Sequence, residues 1–227
     1  MKKLIIIPAY NECDNLPHTI RDVREHAPDY DYVVIDDCST DETLSLCKEQ
    51  GFSVIHLPVN LGIGGAVQTG FLYAREQGYD IAVQIDGDGQ HNARYLKEME
   101  RKMEECDADM VIGSRFIKKE GFQSSVARQM GIRYFTWLIR MLTGVRITDP
   151  TSGMRMVNRE LIQMFAADYP KDYPEPECAV RALKRWKRVV ELPVIMNARQ
   201  MGVSSISPVN SVYYMVKVTL AVILAWF

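Results

Sequence analysis

The hydrophobic positions of this chain fall in short, nearly unbroken runs separated by longer amphipathic stretches. β-rich apolar runs lie at residues 3–8, 31–36, 53–57, 80–86 and 108–113, each the length of one strand. Between them, windows near 14–26, 41–50, 63–77 and 93–105 repeat apolar residues at the spacing of a helical face. Ser39 or Thr40 is placed to cap the second of these helices. Such alternation predicts βαβ units, joined by right-handed crossovers into one mostly parallel, Rossmann-like α/β sheet with helices on both faces.

The second half is less regular. Residues 128–143 set Arg133 and Arg140 seven apart, on one helical face, among Tyr134, Phe135, Trp137, Leu138 and Leu142. That pattern fits a buried core helix or an interfacial helix whose arginines meet lipid phosphate. Pro174 and Pro176 predict a turn, residues 179–187 a helix and 188–196 a strand. Glu175 and Glu177 read as solvated loop acids, or as acceptor contacts if the rim of the site lies beside them. The run 212–227 carries one charge, Lys217, and falls short of the roughly 20 apolar residues that a straight membrane span needs. It is expected to lie on a membrane or dock on a partner, with a terminal helix completing the core as the alternative. The division expected is therefore a catalytic domain at 1–205 and a membrane-associating segment at 206–227.

A chain of 227 residues suits one sizeable domain. Its net charge of −2 argues against a nucleic-acid coat and leaves any polyanion to be met locally. The five cysteines are scattered, without a C-x-x-C pair, and suit a reducing compartment. The chain enters a strand-like run at Lys3, with no signal-peptide pattern, so the body is expected in the cytoplasm.

Ligands of open α/β sheets gather at the carboxyl ends of the strands. Three loops follow such ends here: 8–12 (PAYNE), 36–41 (DDCSTD) and 85–91 (IDGDGQH). In the third, Asp86 and Asp88 stand one residue apart at the mouth of a buried strand, where each should raise the other's pKa unless a cation lies between them. A hard divalent ion resolves the conflict, taking one or two carboxylates and filling its shell with water and phosphate oxygens. An EF-hand reading fails because His91 and Lys97 stand where Gly and Glu are required. A phosphatase-type Asp-x-Asp-Gly-Thr loop would need Thr at Gln90, and a polar turn with solvated acids remains the plain alternative. The glycine-rich run 60–66 could cradle phosphate or pack a helix closely.

The ordered set PAYNE (8–12), DDCSTDET (36–43), NLGIGGAVQTG (60–70), DGDGQ (86–90), GSRF (113–116) and DPTSGMR (149–155) resembles family 2 glycosyltransferases of the GT-A fold. Within them it is most similar to polyprenyl-phosphate glycosyltransferases of the dolichol-phosphate-mannose-synthase type, over about the first 200 residues. The resemblance implies that Pro8, Tyr10, Glu12, Ile35 and Asp37 bind base and ribose, and that Asp86 and Asp88 bind Mg²⁺ or Mn²⁺. It implies that Asp86, Gly87 and Gln90 lie against the donor sugar-nucleotide, that Arg115 and Asp149 act in catalysis, and that Arg199 clamps the pyrophosphate. The chain carries Ser204-Ser205 where synthases of that type carry Ser-Lys, so the implied clamp lacks its lysine.

The function expected by resemblance is inverting transfer of a hexose from a nucleotide-diphosphate sugar, UDP-linked, to a polyprenyl phosphate for bacterial cell-surface polysaccharide. The enzyme would be peripheral, on the cytoplasmic face of the cell membrane, with no nucleic-acid partner. A sugar-hydroxyl acceptor, with Asp149 as base, is one alternative; a catalytically silent nucleotide-sugar-binding subunit is another. A small membrane-protein partner and self-association stay open.

Overall fold

Lys3–Ala9 forms the central strand β1, whose successive side chains leave in opposite directions. Leu4 and Ile6 enter one core layer, Ile5 and Ile7 the layer on the opposite face, and all four are fully buried. A strand covered on both faces reads as a continuous apolar run, which is how this one appears in the sequence. The structure, a computed structural model, describes residues 1–118, 126–197 and 208–227.

Along the chain follow α1 (Leu16–His26), β2 (Asp31–Asp36), α2 (Thr43–Glu49), β3 (Val54–His56), α3 (Gly62–Glu76) and β4 (Ile81–Gln84). A 3₁₀ turn (Ala93–Tyr95) then leads into α4 (Leu96–Glu105) and β5 (Met110–Ser114). The second half contributes α5 (Val126–Thr143), β6 (Arg155–Asn158), α6 (Arg159–Ala167), α7 (Pro174–Lys184), β7 (Val189–Pro193) and α8 (Pro208–Trp226). Among the described residues the strands form one seven-stranded sheet in the order β3-β2-β1-β4-β6-β5-β7.

All pairings are parallel except those of β6, which runs antiparallel to β4 and β5. β6 has a direct consequence for the site. Its first residue, Arg155, stands opposite Gln84 at the end of β4 and Ile112 near the end of β5. The loop preceding an antiparallel strand is thereby delivered to the same rim as the loops that follow its parallel neighbours.

Two expectations need correction. α7 starts at Pro174 rather than at residue 179, because a proline in the first turn loses no intrahelical hydrogen bond. Glu175 and Glu177 thus lie in a helix's first turn, where its dipole favours acids. At α2, neither Ser39 nor Thr40 is the cap; Asp41 Oδ1 accepts the Thr43 amide at 3.0 Å, while the other two bind the loop after β1. The boundary expected at residue 206 lies outside the described residues, but α8 beyond it is not an appendage. Its Val218 and Val222 are buried in the core layer shared with α5 and α7, and Tyr214 meets Phe135 and Tyr173 edge-on.

Candidate active site

The rim is built around Asn11. This residue adopts a left-handed backbone (φ 55°), which asparagine tolerates better than most residues. Its side-chain oxygen accepts the Thr40 amide at 2.8 Å and the Asp41 amide at 3.3 Å, and its own amide donates to Ser39 Oγ at 3.0 Å. The first two loops are thereby locked together. The third joins them where the Gly87 amide donates to the Pro8 carbonyl at 3.3 Å and Thr19 Oγ1 donates to the Gly87 carbonyl at 3.1 Å.

On this frame Tyr10 is exposed at the rim, and Glu12 is half-buried, receiving Asn15 Nδ2 at 2.7 Å. A side chain at Gly87 would meet Pro8 and Glu12, so the loop passes close over both. Pro8 is buried and offers its carbonyl. Ile35 is fully enclosed, its side chain part of the core. Asp37, also buried, accepts the Leu61 amide at 2.7 Å, and Asn60 Nδ2 donates to its carbonyl at 3.1 Å. Burial raises the Asp37 carboxyl above the ordinary range, against the pull of the Leu61 and Gly62 amides. Asp37 therefore holds the entrance of α3. Two glycines of α3 pack closely, since a Cβ on Gly64 would strike the carbonyls of Pro170 and Lys171 and one on Gly70 would strike Ile6, whereas Gly62 at the first helical position has open space and a left-handed φ of 75°.

The D-x-D loop begins two residues past β4. Gln84 Nε2 donates to Asp86 Oδ1 at 2.8 Å, and the Asp86 amide donates to Nδ1 of buried His91 at 3.0 Å. Asp88 Oδ1 accepts the Gln90 amide at 3.0 Å across Gly89, whose φ of 74° favours glycine. From the other side, the 149–154 loop approaches so closely that a Cβ on Gly153 would lie 2.7 Å from Asp86 Oδ2.

That loop carries Asp149, which is fully buried. Arg115 grips it with both arms, Nε to Oδ2 at 2.7 Å and Nη2 to Oδ1 at 2.8 Å, and Nη2 also reaches Thr151 Oγ1 at 3.1 Å. Burial works against the charge on Arg115, but Asp149, and behind it Asp86 and Glu175, hold it firmly protonated. Glu191 supports the loop from β7, its carboxylate accepting the Thr148 amide at 2.8 Å and the Asp149 amide at 2.9 Å. Arg155 fastens the loop to α7. It donates to the carbonyls of Pro150 and Ser152, each at 2.7 Å, and to the Glu175 carbonyl.

Gln90 links this centre to the chain beyond β7, its carbonyl accepting the Asn197 amide at 2.9 Å. Arg199, two residues further on, lies outside the described residues, as do Ser204 and Ser205. Asn11, Gly153, Arg155 and Glu191 were not singled out from sequence. For Asn11, Gly153 and Arg155 a signal existed, since all three sit inside quoted motifs; for Glu191 burial alone reveals the role.

The donor set at Asp86 and Asp88 is carboxylate oxygen on a tight glycine-containing turn, and no cluster of three or more His, Cys, Asp or Glu surrounds it among the described residues. A hard divalent ion that draws the rest of its shell from water and phosphate suits such a pair. A softer, fully protein-ligated metal does not.

The model of glycosyl transferase family 2 matches residues 4–165. The chain belongs to that family. This family 2 glycosyltransferase is 31% identical to the undecaprenyl-phosphate mannosyltransferase of Micrococcus luteus, over 91% of this chain and 88% of that protein. It is likewise 31% identical to the polyprenol monophosphomannose synthase of Mycolicibacterium smegmatis, over 92% and 82%. Its fold matches the crystal structure of glucosyl-3-phosphoglycerate synthase from Mycobacterium tuberculosis in complex with phosphoglyceric acid, with a TM-score of 0.76 at 16% identity over 99% of this chain and 80% of that one. The same synthase, in complex with Mn²⁺ and UDP-glucose as well, matches with a TM-score of 0.75 at 18% identity over 99% and 79%. The family 2 glycosyltransferase thus has the GT-A-like α/β fold.

Proposed function

We propose that this glycosyltransferase moves a hexose from a nucleotide-diphosphate sugar, UDP-linked in our reading, to a polyprenyl phosphate, with inversion at the anomeric carbon. The observation that carries the acceptor class is the state of Asp149. Its two oxygens are taken by Arg115 and it has no exposed surface. A sugar hydroxyl would need a base, and general-base help is typically worth about 10²–10⁴-fold. A phosphate monoester is already an anion near neutral pH and needs none. The names of the two bacterial relatives, both acting on polyprenyl acceptors, point the same way.

In this reading Tyr10, Glu12 and the backbone around Asp37 receive base and ribose, while Gln90 and Gly87 lie along the donor. Asp86 and Asp88 would hold Mg²⁺ or Mn²⁺, whose part is to neutralise charge on the departing diphosphate. Arg115, fixed by Asp149, presents a permanent positive charge beside Asp86 without moving during the reaction, the preorganised arrangement that stabilises developing charge best. Arg199 is assigned the far side of the pyrophosphate. The enzyme works on the cytoplasmic face of the membrane, serving cell-surface polysaccharide; no helix among the described residues is long and apolar enough to cross a bilayer.

The test is direct. Purified protein, a panel of nucleotide sugars and a short-chain polyprenyl phosphate should give, by mass detection, one glycosyl phosphate that mild acid cleaves and whose formation stops with chelator. Transfer only to sugar hydroxyls, giving an acid-stable product, would overturn the acceptor assignment. Binding of nucleotide sugar with no turnover on any acceptor would favour the silent-subunit alternative.

A further inference from the structure

The outward face of a surface helix is ordinarily polar, but among the described residues α8 inverts this rule and α5 mixes exposed apolar side chains with exposed arginines. Among the described side chains of α8 the exposed positions are Tyr213, Val216, Leu220 and Leu224, followed by Phe227; these are 55–85% exposed. On α5 they include Met130, Trp137 and Met141, 58–60% exposed. At roughly 100° per residue, each set forms one stripe.

The two stripes are continuous. α5 meets α8 through Gly131 against Met215 and through Thr219 Oγ1, which donates to Tyr134 Oη at 3.2 Å. The same angular step sets the α5 stripe next to this seam, and Arg133 and Arg140, both exposed, on its far edge. Lys217 borders the α8 stripe and pairs with Asp172 at 2.8 Å. Neither helix contains an aspartate or a glutamate.

We infer that the joined α5–α8 face is a membrane-docking platform for an anionic lipid surface. This deepens the reading above, since it concerns the surface on which that acceptor would be found. Two features select lipid over a second copy of the chain. A two-fold contact brings a patch against itself, so Arg133 and Arg140 would find no acid on the facing helices. At a bilayer the same arginines reach lipid phosphate while the apolar stripe settles at headgroup depth. α8 lies flat because its opposite face, through Val218 and Val222, is held in the core. The platform also adjoins the rim: Tyr214 of α8 packs on Tyr173, the residue just before α7, and Glu175 in the first turn of α7 lies within electrostatic reach of Asp86 and Arg115.

Vesicle binding by the full-length protein, without donor or acceptor, tests this independently of any transfer reaction. With Trp186→Phe and Trp226→Phe in place, Trp137 is the remaining indole. Its fluorescence should be quenched by shallowly brominated lipids in vesicles containing phosphatidylglycerol. Arg133→Gln and Arg140→Gln should each weaken partitioning about fivefold on such vesicles and little on neutral ones. Leu220→Gln and Leu224→Gln should each weaken it by about tenfold, leaving melting temperature and turnover of a water-soluble short-chain acceptor unchanged. The inference is overturned if monomeric protein ignores anionic vesicles, if binding needs a membrane protein in the vesicle, or if Trp137 is shielded by concentration-dependent self-association. Vesicle binding without glycosyl transfer would leave the platform standing and remove the proposed function instead.

Discussion

Asp149 and Arg115 form a buried pair whose two hydrogen bonds fix both side chains, with only 14% of the arginine and none of the aspartate side chain exposed. Replacing one partner strands the other charge, which in comparable buried pairs costs about 3–5 kcal/mol. Asp149→Asn should therefore melt lower and turn over more slowly, and the double variant with Arg115→Gln should be little worse than either single one. A pH–rate profile separates positioning from base catalysis: with a positioning role the acidic limb survives in Asp149→Asn at reduced amplitude, whereas a true base would take the limb with it. Gly153 gives a second residue-level prediction. A methyl there intrudes to 2.7 Å from Asp86 Oδ2, and a misplacement of about 1 Å at a reacting centre can cost about 10²-fold. Gly153→Ala should lower kcat by roughly that factor and weaken metal-dependent donor binding measured by calorimetry, with little change in melting temperature. Wild-type kcat would mean that Asp86 tolerates the displacement.

Among the elements, legibility followed burial pattern. β1, β2 and β4, covered on both faces, announced themselves as apolar runs, so the three loops at their ends and the D-x-D pair between them could be located in advance. β6 could not. It is four residues long, opens on a buried arginine and owes its place to the ladder bonds of β4 and β5, none of which is a local property. Glu191 was hidden for the same reason, being one acid in β7 until the fold brings the Thr148 and Asp149 amides to it. Burial raises the Glu191 carboxyl, with Asp149 adding to the effect against those amides. A group raised in the folded state contributes stability that is complete below its unfolded value, about 4.3 for glutamate, and is lost as pH rises through the folded value. Glu191→Gln removes this titration and replaces an acceptor by an amide donor facing other donors, which costs about 1–3 kcal/mol. In urea unfolding, its deficit relative to wild type should be largest near pH 4 and shrink as pH rises above the ordinary glutamate range. A deficit constant across that range would show that Glu191 does not titrate there.

At the scale of the whole molecule, α8 faces two ways, and the two faces predict different phenotypes. Its inner face belongs to the core layer of α3, α5, α6 and α7, with Val218 and Val222 fully buried and Tyr214 wedged between Phe135 and Tyr173. Fully burying one such aliphatic side chain is worth about 1.5–3 kcal/mol, and removing the helix also exposes its counterparts on α5 and α7. The combined loss approaches the total stability of an ordinary domain, about 5–15 kcal/mol. Truncation before Pro208 should therefore leave a chain that aggregates or lacks a cooperative thermal transition, and its failure to bind membranes would say nothing about docking. Val222→Asp, which places an unpaired charge in that layer, should reproduce the truncation, while Leu220→Gln two residues away should unfold at the wild-type temperature. The decisive comparison is calorimetric: if the truncated chain keeps a sharp transition near that of the full protein, α8 is dispensable to the core and its inner contacts contribute far less than their burial implies.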